Sequence, residues 1–221
     1  MRSLPLPLAL TARLTPVAVL ACAGWALSSG PAAPAAAGDR PAQQTPTGAA
    51  SAPSSTAASK SYTAAPAPCS SVPAATVKSL VPGAKTAGKE IPSTDTALRR
   101  TCSWNALEGY DYRWLDVSFE ITASDEAAKK EYQQRVTEKS GGGLVPGVGD
   151  AGYSVVNLST ESKQETREGV VLIRASNALV VVTYNGSDFE TKKAPSTDEI
   201  NKGAIKAAKS AVAALRPGGS G

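Results

Sequence analysis

From residue 38 to residue 68 the chain is almost entirely Ala, Pro, Ser, Thr, Gly and Gln, with Tyr62 its only aromatic residue. Such a stretch carries too little apolar surface to offset the entropy lost on ordering it. A packed body must therefore come from the residues that follow. The composition predicts a disordered tether over 38–68, stiffened by Pro41, Pro46, Pro53, Pro66 and Pro68. One domain is expected over 69–216, with a short flexible tail at 217–221. A chain of 221 residues leaves no room for a larger assembly of domains.

Upstream of the tether, Arg2 and Arg13 precede an apolar stretch from Leu14 to Leu27 and a run of small residues from Ser28 to Ala37. That order is the pattern of a secretory signal over 1–37, with Ala35-Ala36-Ala37 offering small side chains ahead of Gly38. A second processing route competes. Val19-Leu20-Ala21-Cys22 resembles a lipobox, in which Cys22 would become a lipid-bearing N-terminus after a lipoprotein signal ending before it. A spanning helix ranks below both, because Pro16 and Arg13 interrupt a segment that would need about 20 apolar residues. Both leading routes place the domain outside the cytoplasm, secreted or anchored to the outer face of the membrane, with membrane contact only through signal or lipid.

Removal or lipidation of Cys22 leaves Cys69 and Cys102 as an even pair in an oxidising compartment, where they are expected to be bonded. Neither has the histidine or Cys-x-x-Cys neighbour that would depress a thiol pKa for catalysis.

The domain reads as alternating helices and strands. Val77, Leu80 and Val81 follow Pro73 at helical spacing and stop at Pro82-Gly83. Strand character rises around Cys102 and Trp104, and Leu115, Val117, Phe119 and Ile121 then alternate with polar partners. Ser124 is placed to cap a helix with Asp125 and Glu126 in its first turn, burying Ala128, Tyr132 and Val136. After Ser140-Gly141-Gly142-Gly143 come strands near 153–158, 170–173 and 179–184, the last two joined at Ser176-Asn177. A capping box, Ser196 with Glu199, opens a final helix that buries Ile200, Ala204, Ala208, Ala211 and Leu215. The order αββ-α-βββ-α predicts an α+β fold with a single antiparallel sheet, helices packed on it and one disulfide.

The chain has no histidine, which removes the commonest general base and metal ligand. Residues 1–66 hold four of the 23 bases and one of the 19 acids, so 19 bases face 18 acids in the remainder. A nearly neutral body with interleaved charge has no basic stripe to follow a phosphate backbone, so no nucleic-acid partner is expected. Gly147-Val148-Gly149-Asp150-Ala151-Gly152 satisfies G-x-G-x-x-G, but a nucleotide site needs a helix immediately after the glycines and here a strand follows. No cofactor and no metal site are expected. Asp150, and Asp188 with Glu190, are the acids that would have to converge for carboxylate-based hydrolysis. The sequons at Asn157 and Asn185 read as chance, and Asn185-Gly186 as a turn.

Trp104 follows a disulfide cysteine by two residues and is expected in the core. Trp114 lies on the polar parity of its strand, so Trp114, with Tyr110 nearby, is the candidate exposed contact.

Three motifs together resemble a known family: Cys69-Ser70-Ser71-Val72-Pro73 leading into a short helix, Cys102-Ser103-Trp104, and Pro146-Gly147-Val148-Gly149-Asp150-Ala151 before a strand. They resemble the domain of unknown function 3558 family, exported proteins and lipoproteins of high-GC Gram-positive bacteria. The resemblance covers most of 69–215 and implies the disulfide, an envelope location and a small α+β fold, without a catalytic residue. The expectation is an exported binding or interaction module of the cell envelope, its ligand or protein partner and its oligomeric state undetermined, with no enzyme activity assigned. The alternatives are a regulatory protein or lipoprotein contacting an envelope sensor, or a small carboxylate-based hydrolase.

Overall fold

The computed structural model describes residues 60–215. The signal at 1–37, Cys22, the tether up to residue 59 and the tail at 217–221 lie outside the described residues.

Seven strands form one antiparallel sheet: β1 (Lys89–Ile91), β2 (Arg99–Glu108), β3 (Asp111–Ile121), β4 (Gly143–Leu144), β5 (Ala151–Glu161), β6 (Gln164–Ala175) and β7 (Ala178–Asp188). Their spatial order is β1-β2-β3-β7-β6-β5-β4. The chain runs a first meander through β1, β2 and β3, crosses to the far edge, and meanders back through β4 to β7. The last strand then closes the centre by pairing with β3, Val117 opposite Val182. Three helices complete the fold: α1 (Ala74–Leu80), α2 (Asp125–Glu138) and α3 (Thr197–Ala214). The expected α+β architecture is present.

The two faces of the sheet are covered unequally. On one, alternate residues Cys102, Trp104, Leu115, Val117, Phe119, Val180, Val182, Val171 and Ile173 are almost fully buried, packed with α1 and α3. The helix residues there are small, Ala204, Ala207, Ala208 and Ala211, so α3 lies close to the strands and the core stays dense. On the opposite face α2 packs against β6 and β7. It covers a smaller cluster of Ala128, Tyr132, Tyr153, Val155, Val170, Leu172 and Leu179, and among the described residues no helix lies above the rest of that face.

The helix starts follow their sequence signals. The Ser124 hydroxyl accepts the Ala127 N–H at 3.1 Å, and the Ser196 hydroxyl accepts the Glu199 N–H at 3.1 Å. The reciprocal half of the expected capping box does not form. Glu199 instead accepts a hydrogen bond from the half-buried Arg113 guanidinium at 2.8 Å, tying α3 to β3. Burial alone would favour the neutral form of Arg113, and the adjoining Glu199 and Asp111 carboxylates outweigh it, raising its pKa.

Four expectations need correction. The packed chain begins before Cys69: Tyr62 exchanges two backbone bonds with the Asn177 side chain, both 2.8 Å, and Ala65 is buried with its N–H on Ala97 O at 2.8 Å. Composition hides this, because an edge-on anchor needs only one aromatic residue and two backbone groups. Strands β1 and β4 also went unread, being three and two residues long with no alternation to detect. Asn185-Gly186 is not a turn. Both lie inside β7, opposite Trp114 and Arg113, and a Cβ at Gly186 would meet Arg113 Nη1 at 2.8 Å and Pro195 Cγ at 2.9 Å, so glycine here makes room for neighbouring side chains. Lastly, the strands are longer than their apolar runs, β5 continuing through exposed and mostly polar residues to Glu161, because backbone pairing outlasts burial.

Candidate functional site

Register converts the uncovered part of the sheet into an ordered array of side chains. Asn105 pairs with Trp114, Trp114 with Asn185, Asn185 with Glu168 and Glu168 with Asn157. Residues directly opposite on paired strands point to the same face, so these five form one row across β2, β3, β7, β6 and β5. At a strand spacing of about 4.8 Å the row spans roughly 19 Å. Asn105 and Asn157 at its ends are exposed; Trp114, Asn185 and Glu168 are half-buried. Among the described residues, the side-chain hydrogen bond made by this row is the one from Trp114 Nε1–H to Asp116 Oδ1, at 2.6 Å. The four amide and carboxylate side chains keep their hydrogen-bonding capacity free.

Alongside the row lies an apolar strip. Tyr112, two residues before Trp114 and on the same face, meets the indole edge to face at 6.3 Å between centroids. Its other side contacts Phe189 at 6.0 Å. Leu107 pairs with Tyr112 on the neighbouring strand and is 57% exposed, with Phe189 at 45%. Desolvation raises the Tyr112 pKa, helped by the Asp116 carboxylate. On the other flank a hollow of about 450 Å³ is lined by Ile91, Arg99, Thr101 and Asp116 among others. Tyr112 is thus the centre of a strip of rings, with Trp114 at the end that joins the row, held in orientation by Asp116.

Tyr110 is 58% exposed at the turn between β2 and β3, where its carbonyl accepts the Phe189 N–H at 2.9 Å. It borders the strip and is not in the row. Trp104 is in the core, 1% exposed, with its Nε1–H on Thr86 O at 3.0 Å. Cys69 and Cys102 are joined in a disulfide with their Cα atoms 5.0 Å apart.

The acids that hydrolysis would require are not brought together. Asp150 lies at the turn end of the sheet, accepting Ser176 N–H at 2.7 Å and paired with Arg174 at 3.1 Å. Asp188 ends β7 at the opposite pole, roughly 30 Å away along the strand. There it accepts the Thr191 N–H and hydroxyl at 2.7 and 2.9 Å, and those bonds hold its carboxyl below the usual range. Both serve local backbone geometry. Among the described residues no three His, Cys, Asp or Glu side chains gather to hold a metal ion. The G-x-G-x-x-G segment runs from the β4 end into β5, with Gly147 and Gly149 at φ +74° and +63°, so the glycines lead into a strand.

Sequence reasoning reached Trp114 through strand parity. It missed Asn105, Asn157, Glu168 and Asn185, because a row across five strands is a property of register, and register between distant strands has no local signal.

The sequence matches no protein-family model and no curated protein. A crystal structure from Bacteroides thetaiotaomicron VPI-5482 shares 13% identity with a TM-score of 0.35, over 54% of this chain and 47% of that one. This chain thus matches about half the length of that protein.

Proposed function

We propose that the protein is an exported binding module of the cell envelope that holds its ligand on the open half of its sheet, around Trp114. The single observation that carries the reading is the row Asn105–Trp114–Asn185–Glu168–Asn157, with polar side chains left free and a tryptophan set half-exposed among them. Monomeric domains seldom leave aromatic rings and unpaired amides together on an uncovered sheet unless something binds there. The secretory pattern over 1–37, the resemblance to the domain of unknown function 3558 family and the disulfide support an extracytoplasmic location. Anchoring through Cys22 and release after Ala37 remain the two processing routes. Tyr62 is tied to Asn177 in the β6–β7 turn, the pole away from Tyr110 and Phe189, so the upstream segment joins the domain at the end remote from the aromatic strip.

A photo-reactive phenylalanine derivative placed at Asn105, on the open face, and at Lys129, on the exposed side of α2, tests the reading in cells that export the protein. Adducts formed from position 105 and not from position 129 are expected. Equal labelling from both, or labelling from 129 alone, overturns the open face as the contact surface.

A further inference from the structure

Resting on the open face as the contact surface, we propose that its ligand is a linear glycan of N-acetylated amino sugars, laid along the row from Asn105 to Asn157. Four features of the face select this chemistry. The row lies on the inner strands of the sheet as well as at its margin, and the backbone groups of β3, β7 and β6 are already paired on both sides. An extended peptide gains its affinity by pairing with a free strand edge, and such edges lie only at the two ends of the row, on β2 at Asn105 and on β5 at Asn157, so a chain laid along the row crosses the strands without pairing with them.

The side chains of the row match hydroxyls and amides. Each asparagine offers two N–H donors and an accepting carbonyl, and Glu168 accepts only. A polyhydroxylated chain supplies donors and acceptors at every ring and satisfies such a row along its length. The half-exposed indole of Trp114 is a flat apolar surface for the C–H face of a sugar ring, and Asp116 fixes its orientation.

Charge separates the glycan from anionic polymers. In the row and in its neighbour containing Ser103, Asp116 and Thr183, the central charged groups are Glu168 and Asp116, both acidic, with one lysine, Lys89, opposite Ser103 at the margin of the sheet. A phosphate-bearing polymer or a nucleic acid laid along the row would meet repulsion from both central carboxylates, against a single lysine at the margin. A neutral chain meets none.

The apolar strip selects the N-acetyl group. Leu107, Tyr112 and Phe189 lie immediately beside the amides of the row, so an acetamido substituent can hydrogen-bond to asparagine while its methyl rests on the strip. A plain hexose chain would leave that strip facing hydroxyl groups.

Titration calorimetry of the full chain with chitotetraose and cellotetraose decides the matter, since the two share linkage and differ in the acetamido groups. Chitotetraose is expected to bind, with cellotetraose at least tenfold weaker. Asn185→Ala and Glu168→Gln should each weaken chitotetraose at least fivefold, while melting as cooperatively as the parent; Lys129→Ala should have no effect. Equal binding of both sugars overturns the acetamido assignment. Chitotetraose binding that ignores both row substitutions overturns the site. Absence of sugar binding, with position-105 crosslinking intact, overturns the glycan and leaves the contact surface standing; crosslinks to peptide alone do the same.

Discussion

Asn177 shows how much one buried polar side chain organises. It is fully buried, and its amide donates to Tyr62 O at 2.8 Å and Thr122 O at 3.1 Å while its carbonyl accepts the Tyr62 N–H. Asn177→Ala strands a donor and two acceptors at once. A loss of about 1–3 kcal/mol is expected from unsatisfied buried groups, read as a lower urea midpoint. Glu90 provides a pH handle. Two hydrogen bonds from Arg100, at 2.6 and 2.8 Å, hold its carboxyl below the ordinary value. A depressed folded pKa contributes stability that is complete above the unfolded pKa and is lost as pH falls through the folded one. The stability difference between the parent and Glu90→Gln should therefore shrink between about pH 7 and about pH 3, and a difference constant over that range would contradict the pairing. At this scale the sequence was informative where the signal is local. Trp114 could be placed by parity, whereas the partners of Asn177 lie 115 and 55 residues away and no local pattern points to them.

Among the elements, the turn between β4 and β5 separates two uses of glycine. Gly147 has φ +74° and open space where a Cβ would go, whereas Gly149 has φ +63° and a Cβ would lie 2.5 Å from Arg174 O. Gly147→Ala should cost on the order of 1 kcal/mol from backbone strain alone. Gly149→Ala adds a clash with a strand carbonyl and should cost clearly more. Thermal melts of the two variants check the order, and equal losses would show that the neighbouring strand moves aside freely. The long elements were legible because amphipathic periodicity and caps mark them: α2, α3 and the apolar halves of β3, β6 and β7. The short edge strands were not, since β1 and β4 exist through the unpaired edges of β2 and β5, and Asn185-Gly186 carried a turn signature that central strand pairing overrides.

For the whole molecule, the disulfide fastens the N-terminal part of the domain to β2, and the upstream segment fastens it to the β6–β7 turn at Asn177 and to Ala97. Bonding residues 33 apart restricts the unfolded chain by about 3–4 kcal/mol in the chain-entropy model. Replacing Cys69 and Cys102 by Ser should lower stability by up to that amount. A version beginning at Cys69 should melt lower than one beginning at Lys60, because it loses the Tyr62 bonds and the burial of Ala65. Identical melts would show that the upstream contacts add nothing. The central pairing of β3 with β7 has a further consequence, in time as well as in energy. Its partners Ile121 and Ala178 are 57 residues apart, and Asp111 and Asp188 are 77, so the middle of the sheet is its least local part. Contacts of such separation form late, after the loop-closure entropy has been met. A chain emerging from its N-terminus can build the first meander early, but β3 then waits with an unpaired edge until residue 188 has followed. Until then that edge is an adhesive surface. The polypeptide thus passes through an interval of vulnerability set by the order of its strands, during which a holding chaperone, or simple dilution, governs the yield of native protein.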